Sequence, residues 1–156
     1  MSSLVTETRD VLWFKKQFTF GGLLLPWRAH TMKKVTGLGG VFFKSDDPEK
    51  LYAWYEEHLG VKRDSSGGVA FKWREPDDQK EGMTVWAIFA KNSKYFDPSR
   101  SQFMLNFRVA DLDALLAALR AEGVEVDKKI EEYDYGRFAW IMDPEGNRIE
   151  LWEPPK

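Results

Sequence analysis

The chain has 156 residues, 43% hydrophobic and 15% aromatic, with acids and bases interspersed to a formal net charge of −2. That is enough for one domain with a substantial core, and the balanced charge does not suggest a nucleic-acid footprint. There is no cysteine, which excludes disulfides, thiolate metal sites and a cysteine nucleophile and is compatible with a cytoplasmic location. No apolar run approaches the roughly 20 residues that span a bilayer, so neither a membrane nor a nucleic acid is an expected partner.

Residues 1–31 read as an N-terminal extension outside the core fold, and 32–156 as the domain. The apolar run Phe18–Trp27 is short, is broken by Gly21, Gly22 and Pro26, and has no A-x-A site after it. Met32 is followed by Lys33-Lys34-Val35-Thr36, which looks like an ordinary start. The competing reading is an arm that packs on a partner subunit through Trp13, Phe14, Phe18, Phe20 and Trp27, since so many aromatics need cover.

From Thr36 onward the chain repeats itself. Module 1 covers about 36–90 and module 2 about 102–154. In module 1, TGLGGVFFK reads as a strand, with Leu38, Gly40, Phe42 and Lys44 expected on a pocket face. A helix is expected over Pro48–Leu59. Asp47 is its N-cap, Pro48 sits at the first helical position and Gly60 takes the left-handed residue after it. Its expected buried stripe is Leu51, Trp54, Tyr55 and Leu59. A later strand should place Thr84, Trp86 and Ile88 on the pocket face, and 91–100 links the modules.

Module 2 opens with Gln102–Val109, where Phe103, Leu105, Phe107 and Val109 alternate with Gln102, Met104, Asn106 and Arg108. The first set should cover a helix over Leu112–Glu122, capped by Asp111 and ended by Gly123, with Leu112, Leu115, Leu116 and Leu119 inward. The second set suits a pocket floor. Asp143-Pro144-Glu145-Gly146 is a turn by composition. In the last strand Ile149 and Leu151 go to the helix side, which leaves Arg148, Glu150 and Trp152 on the pocket face. Landmarks recur at near-constant offsets: 64 from Asp47 to Asp111, 63 from Gly60 to Gly123 and 64 from Trp86 to Glu150. Two modules too small to bury their own apolar faces should join into one cup for a small molecule.

The segments DPEKLYAWYEEHLG, FRVADLDALLAALRAEGV and DPEGNRIELWEP resemble the vicinal oxygen chelate superfamily, the glyoxalase / bleomycin-resistance / extradiol dioxygenase group. The resemblance covers Thr36–Pro154. It implies an α+β fold of two βαβββ modules forming an open, barrel-like curved mixed sheet with a concave pocket. It also implies a homodimer or fused equivalent, and chemistry at one divalent metal that chelates neighbouring substrate oxygens. The family's ligand positions, a His or Gln seven residues before each helix-capping Asp and a carboxylate on each last strand, correspond here to Gly40, Met104, Trp86 and Glu150. Only Glu150 is a ligand for a hard ion, which needs about three. Glycine has no side chain, Trp only donates and Met is a soft thioether. No metal and no other cofactor is therefore expected.

Glu150 has three readings: an acid paired with Arg108 or Arg148, a pocket carboxylate acting as general base or cation anchor, or a metal ligand with unforeseen partners. Phe42, Trp86, Trp140 and Trp152 are either ordinary core or an aromatic wall for a flat or cationic ligand, with Met104 on the floor and Asn106 and Arg108 as polar contacts. His30 and His58 sit outside the expected pocket. Tyr133 and Tyr135 either gate it or pack on the surface. No nucleophile elbow, phosphate loop or dinucleotide fingerprint is present. The expected function is binding of an aromatic or cationic small molecule without a metal. The alternative is an enzyme of the same superfamily, a lyase, isomerase or dioxygenase, with Glu150 as base or a relocated metal.

Overall fold

The computed structural model describes residues 34–74 and 80–155. The readings of the N-terminal extension lie outside the described residues.

Module 1 contributes β1 (Gly37–Ser45), α1 (Pro48–Leu59), β2 (Val69–Arg74) and β3 (Glu81–Ala90). Module 2 contributes β4 (Phe103–Arg108), α2 (Leu112–Ala121), β5 (Val126–Tyr133), β6 (Gly136–Met142) and β7 (Arg148–Glu153). The seven strands form one open, curved mixed sheet in the order β2-β3-β1-β4-β7-β6-β5. β1 runs parallel to β3 and β4 parallel to β7, as expected when a helix intervenes between paired strands. The modules meet where β1 pairs antiparallel with β4. Among the described residues, module 1 has no counterpart of β5. Its equivalent stretch is a turn in which the Asp64 side chain accepts from Ser66 N at 2.8 Å and Asp64 N donates to Gly68 O at 2.8 Å. No described helix is long and apolar enough to cross a membrane.

The caps act as the sequence suggests. Asp47 accepts from Lys50 N at 3.0 Å and Asp111 from Ala114 N at 2.9 Å. Each satisfies a backbone donor that the first helical turn leaves open. Gly60 ends α1 at φ 67°, a conformation that costs glycine little.

Leu112, Leu115 and Leu116 of α2 are buried with Val109, Ala139 and Leu151, and Phe107, Ile141 and Ile149 pack around them. This is the larger core, and its β4 and β7 members have the expected parity. α1 departs from its expected stripe. Tyr52 is its buried residue, while Trp54 and Leu59 are exposed. The Tyr52 hydroxyl donates to Gly67 O at 3.1 Å and accepts from Ile88 N at 2.8 Å. Beyond Trp86 the pairing of β3 with β2 has ended, so this hydroxyl supplies a partner to a strand amide.

The parity of β3 is also the reverse of the expectation. Phe42 pairs with Ala87 and Gly40 with Val85, which puts Val85, Ala87 and Phe89 on the face of Phe42. Trp86 faces α1 instead, with ring centroids 5.6 Å from Tyr52, 4.7 Å from Tyr55 and 5.4 Å from Phe43. Thr84 likewise serves the sheet: its hydroxyl accepts from Trp73 Nε1 at 3.1 Å and donates to Leu38 O at 2.9 Å. Trp86→Ala is therefore expected to lower the unfolding free energy by roughly 3 kcal/mol while leaving ligand affinity unchanged. Denaturant unfolding paired with binding would return Trp86 to the site if affinity fell and stability did not.

Candidate functional site

The sheet face opposite the helices carries a second core of Phe42, Met104 and Trp140, closed by Phe96 from the segment between β3 and β4. Met104 and Phe96 are both 0% exposed. Phe42, Met104 and Trp140 thus lie on the expected face, packed together under Phe96. Beside this core sits Glu150, 2% exposed. Asn106 Nδ2 donates to Glu150 Oε1 at 2.6 Å, Trp140 Nε1 donates to Oε2 at 3.0 Å, and the Tyr95 hydroxyl also donates to Oε2. Strand register places Asn106 and Trp140 directly across from Glu150 on its two neighbours.

Among the described residues, the groups bonded to Glu150 are thus neutral. The two arginines considered as partners for Glu150 make other contacts. Arg148 donates to Tyr95 O at 2.9 Å, Asp97 O at 2.6 Å and Asp127 Oδ2 at 3.1 Å, with its guanidinium over the Trp140 ring. Arg108 donates from Nε to Thr36 Oγ1 at 3.1 Å and covers the Trp73 ring at 4.4 Å. Burial pushes the Glu150 carboxyl above its ordinary value, against the opposing pull of the three hydrogen bonds and the more distant Arg148 charge. Burial, and then the Glu150 charge, push the Tyr95 phenol up as well.

Asn106 is itself buried, and its Oδ1 has no hydrogen-bond partner. The cause is β1. A register shift between Leu38 and Gly40 turns Gly39 toward β4, where a Cβ would collide with Asn106 Oδ1 and meet Trp152 Cε3 at 3.1 Å. Leu38, expected on this face, is exposed instead. Gly39→Ala should push the Asn106 amide off Glu150 and cost roughly 1–3 kcal/mol of stability, measured by denaturant unfolding. An unaltered stability would show that the amide has room the structure does not show. Trp152 is buried beside this glycine, its Nε1 donating to Tyr135 O at 2.9 Å. Its ring stacks on Phe138, which in turn touches the stacked and exposed Tyr133 and Tyr135.

The structure thus gathers Phe42, Met104, Asn106, Trp140, Glu150 and Trp152 on one face, sends Trp86 to the other, and sets Arg108 against Trp73. Tyr95 and Gly39 were not singled out by sequence. The signal for Tyr95 was available: Tyr95-Phe96 is an aromatic pair in an otherwise polar segment, and exposed aromatics need a reason.

The four positions where the family's metal ligands would fall do not fit a divalent ion. Gly40 offers no donor, Met104 is enclosed by apolar rings, Trp86 points to α1, and the residue on β3 that faces the site is Ala87. Among the described residues no group of three or more His, Cys, Asp or Glu side chains is placed to hold a metal.

This fold has recognisable relatives. Residues 37–151 match the model of the Glyoxalase/Bleomycin resistance protein/Dioxygenase superfamily, and the chain belongs to that superfamily. No curated protein sequence matches the chain. Among solved structures, methylmalonyl-CoA epimerase from Mycobacterium tuberculosis is 24% identical, with a TM-score of 0.51 over 82% of this chain and 94% of that one. A variant of the Streptomyces coelicolor methylmalonyl-CoA epimerase, in complex with 2-nitronate-propionyl-CoA, is 18% identical, with a TM-score of 0.57 over 78% and 99%. A Legionella pneumophila protein described as NAD-dependent benzaldehyde dehydrogenase is 16% identical, with a TM-score of 0.50 over 74% and 98%. At these identities the likeness is one of fold.

Proposed function

We propose that this domain binds a small aromatic or cationic molecule at Glu150, using its own side chains in place of a divalent metal. One observation carries the reading. Glu150 is a buried carboxylate whose bonded partners among the described residues are all neutral. A buried charge without a counter-charge is costly, and a ligand cation would relieve that cost. Phe42, Trp140 and Trp152 supply an apolar and aromatic setting in which such a contact is worth more than in water. Benzamidine, a flat aromatic cation, is a suitable first probe. Glu150→Gln removes the charge at little change in volume and should weaken benzamidine binding by roughly ten- to a hundredfold, read by calorimetry. Equal affinity for both proteins would reject the site. A cytoplasmic homodimer belongs to the same reading, and light scattering of the full chain tests the dimer.

A second reading is favoured by the raised Glu150 carboxyl and its tyrosine neighbour. A carboxyl held above its ordinary range suits a general base near neutral pH, and a proton-transfer enzyme needs no metal if its dipoles stabilise the product anion. The methylmalonyl-CoA epimerases that share the fold suggest the assay. Methylmalonyl-CoA in deuterated water would gain deuterium with the natural protein and not with Glu150→Gln.

A further inference from the structure

We propose that Tyr95 is a gate over Glu150, held shut in this structure by its own hydroxyl. The proposal rests on Glu150 being the centre of the site. Its geometric basis is an unequal attachment of backbone and ring. The backbone around Tyr95 is fixed from several sides. Arg148 binds the carbonyls of Tyr95 and Asp97, Phe96 is fully buried, Ser99 Oγ donates to Gly146 O at 2.7 Å, and Ser101 Oγ donates to Asn147 Oδ1. These contacts tie the segment to β7 and to the turn that precedes it.

The ring is held differently. It stacks on Phe89 at a centroid distance of 5.4 Å and 4° between planes, and it meets Trp140 edge-on at 6.1 Å. Its polar attachment is the bond to Glu150. Tyr95 as a residue is 36% exposed, whereas Glu150 and Trp140 are each 2% exposed. A part-exposed side chain changes rotamer far faster than a pinned segment moves. Rotation of the ring therefore opens the site while the segment stays in place. Glu150 then keeps Asn106 on Oε1 and Trp140 on Oε2, so the carboxylate stays oriented as it becomes accessible. The space vacated is walled by Phe89, Trp140 and Glu150. A ligand with a flat ring and one N–H or O–H donor replaces each contact that Tyr95 gives up. Ligand and Tyr95 thus compete for the same carboxylate oxygen.

Hydroxyl-radical footprinting of the full chain tests the gate without any ligand, so its outcome is independent of whether benzamidine binds. The readout is oxidation at Trp140, located by mass spectrometry, with exposed Tyr135 as reference. Tyr95→Phe keeps the ring and removes the bond to a charged acceptor. It should raise the Trp140 oxidation rate about tenfold relative to Tyr135. Tyr95→Ala should raise it further. A Trp140 rate in Tyr95→Phe equal to that of the natural protein overturns the proposal, whatever Tyr95→Ala does, because the ring is then a fixed wall. Faster oxidation accompanied by lost hydrogen-exchange protection in β7 overturns it too, because the opening is then general.

Discussion

Phe96→Ala is expected to lower the unfolding free energy by roughly 3–5 kcal/mol, the cost of removing a fully buried aromatic ring. Phe96 belongs to an inter-module connection rather than to a helix or strand, yet it is 0% exposed. Its ring lies against Phe89 at 5.3 Å, the Lys44 ammonium sits over it at 4.9 Å, and it closes the cluster of Phe42, Met104 and Trp140. The same substitution loosens the segment that carries Tyr95, so Trp140 should become more accessible along with the loss of stability. Thermal unfolding by circular dichroism provides the check, with an expected fall in Tm of roughly 10 °C. An unchanged Tm would mean that the connection is not part of the core.

Glu150→Gln should change how stability depends on pH, in a direction fixed by the raised carboxyl. The folded protein holds a proton on Glu150 more tightly than the unfolded chain, whose glutamate titrates near the ordinary value of 4.5. Between the two values the folded state binds more protons, so this group's contribution to stability falls as pH rises. Below the unfolded value it costs nothing, because both states are neutral. Above the folded value the full desolvation cost applies, about 1.4 kcal/mol for each unit separating the two. Gln does not titrate. The stability of Glu150→Gln relative to the natural protein should therefore be highest at neutral pH and decline toward pH 4. Asp64, Asp113, Glu131 and Asp143 have lowered values and contribute the opposite trend, but they are present in both proteins and cancel in the difference. A difference that is flat across the range would show that Glu150 is not desolvated.

Both helices were legible because their signals are local. An Asp cap, Pro48 in the first turn and a glycine after the last turn each act within a few residues of where they stand. Partnerships made at a distance left weaker traces. Tyr52 is buried because its hydroxyl serves Gly67 and Ile88, and helical spacing contains no information about either. The parity error at Trp86 has a plain origin. The offset between modules is 64 at the helix starts and 63 at the glycines that follow them, so a constant 64 carried past α1 lands one residue off. In a strand, one residue is a change of face. Ala87, not Trp86, is the module 1 counterpart of Glu150. Glu150, Asn106 and Trp152 share the face expected of them because their two strands were read from their own alternation. Tyr95 reaches Glu150 across 55 positions of sequence, a distance no periodicity spans.

The position of β1 between β3 and β4 has a consequence for how the chain is made. β3 can dock beside β1 as soon as module 1 has left the ribosome, but the other edge of β1 pairs with residues 103–108. Until those residues emerge, β1 presents open amides and carbonyls and an apolar flank at Val41 and Phe43. Half a sheet with such an edge is a template for pairing with another nascent chain. The joint that unites the finished molecule is thus the place where two unfinished copies are most prone to adhere, and module 2 closes it with its first strand.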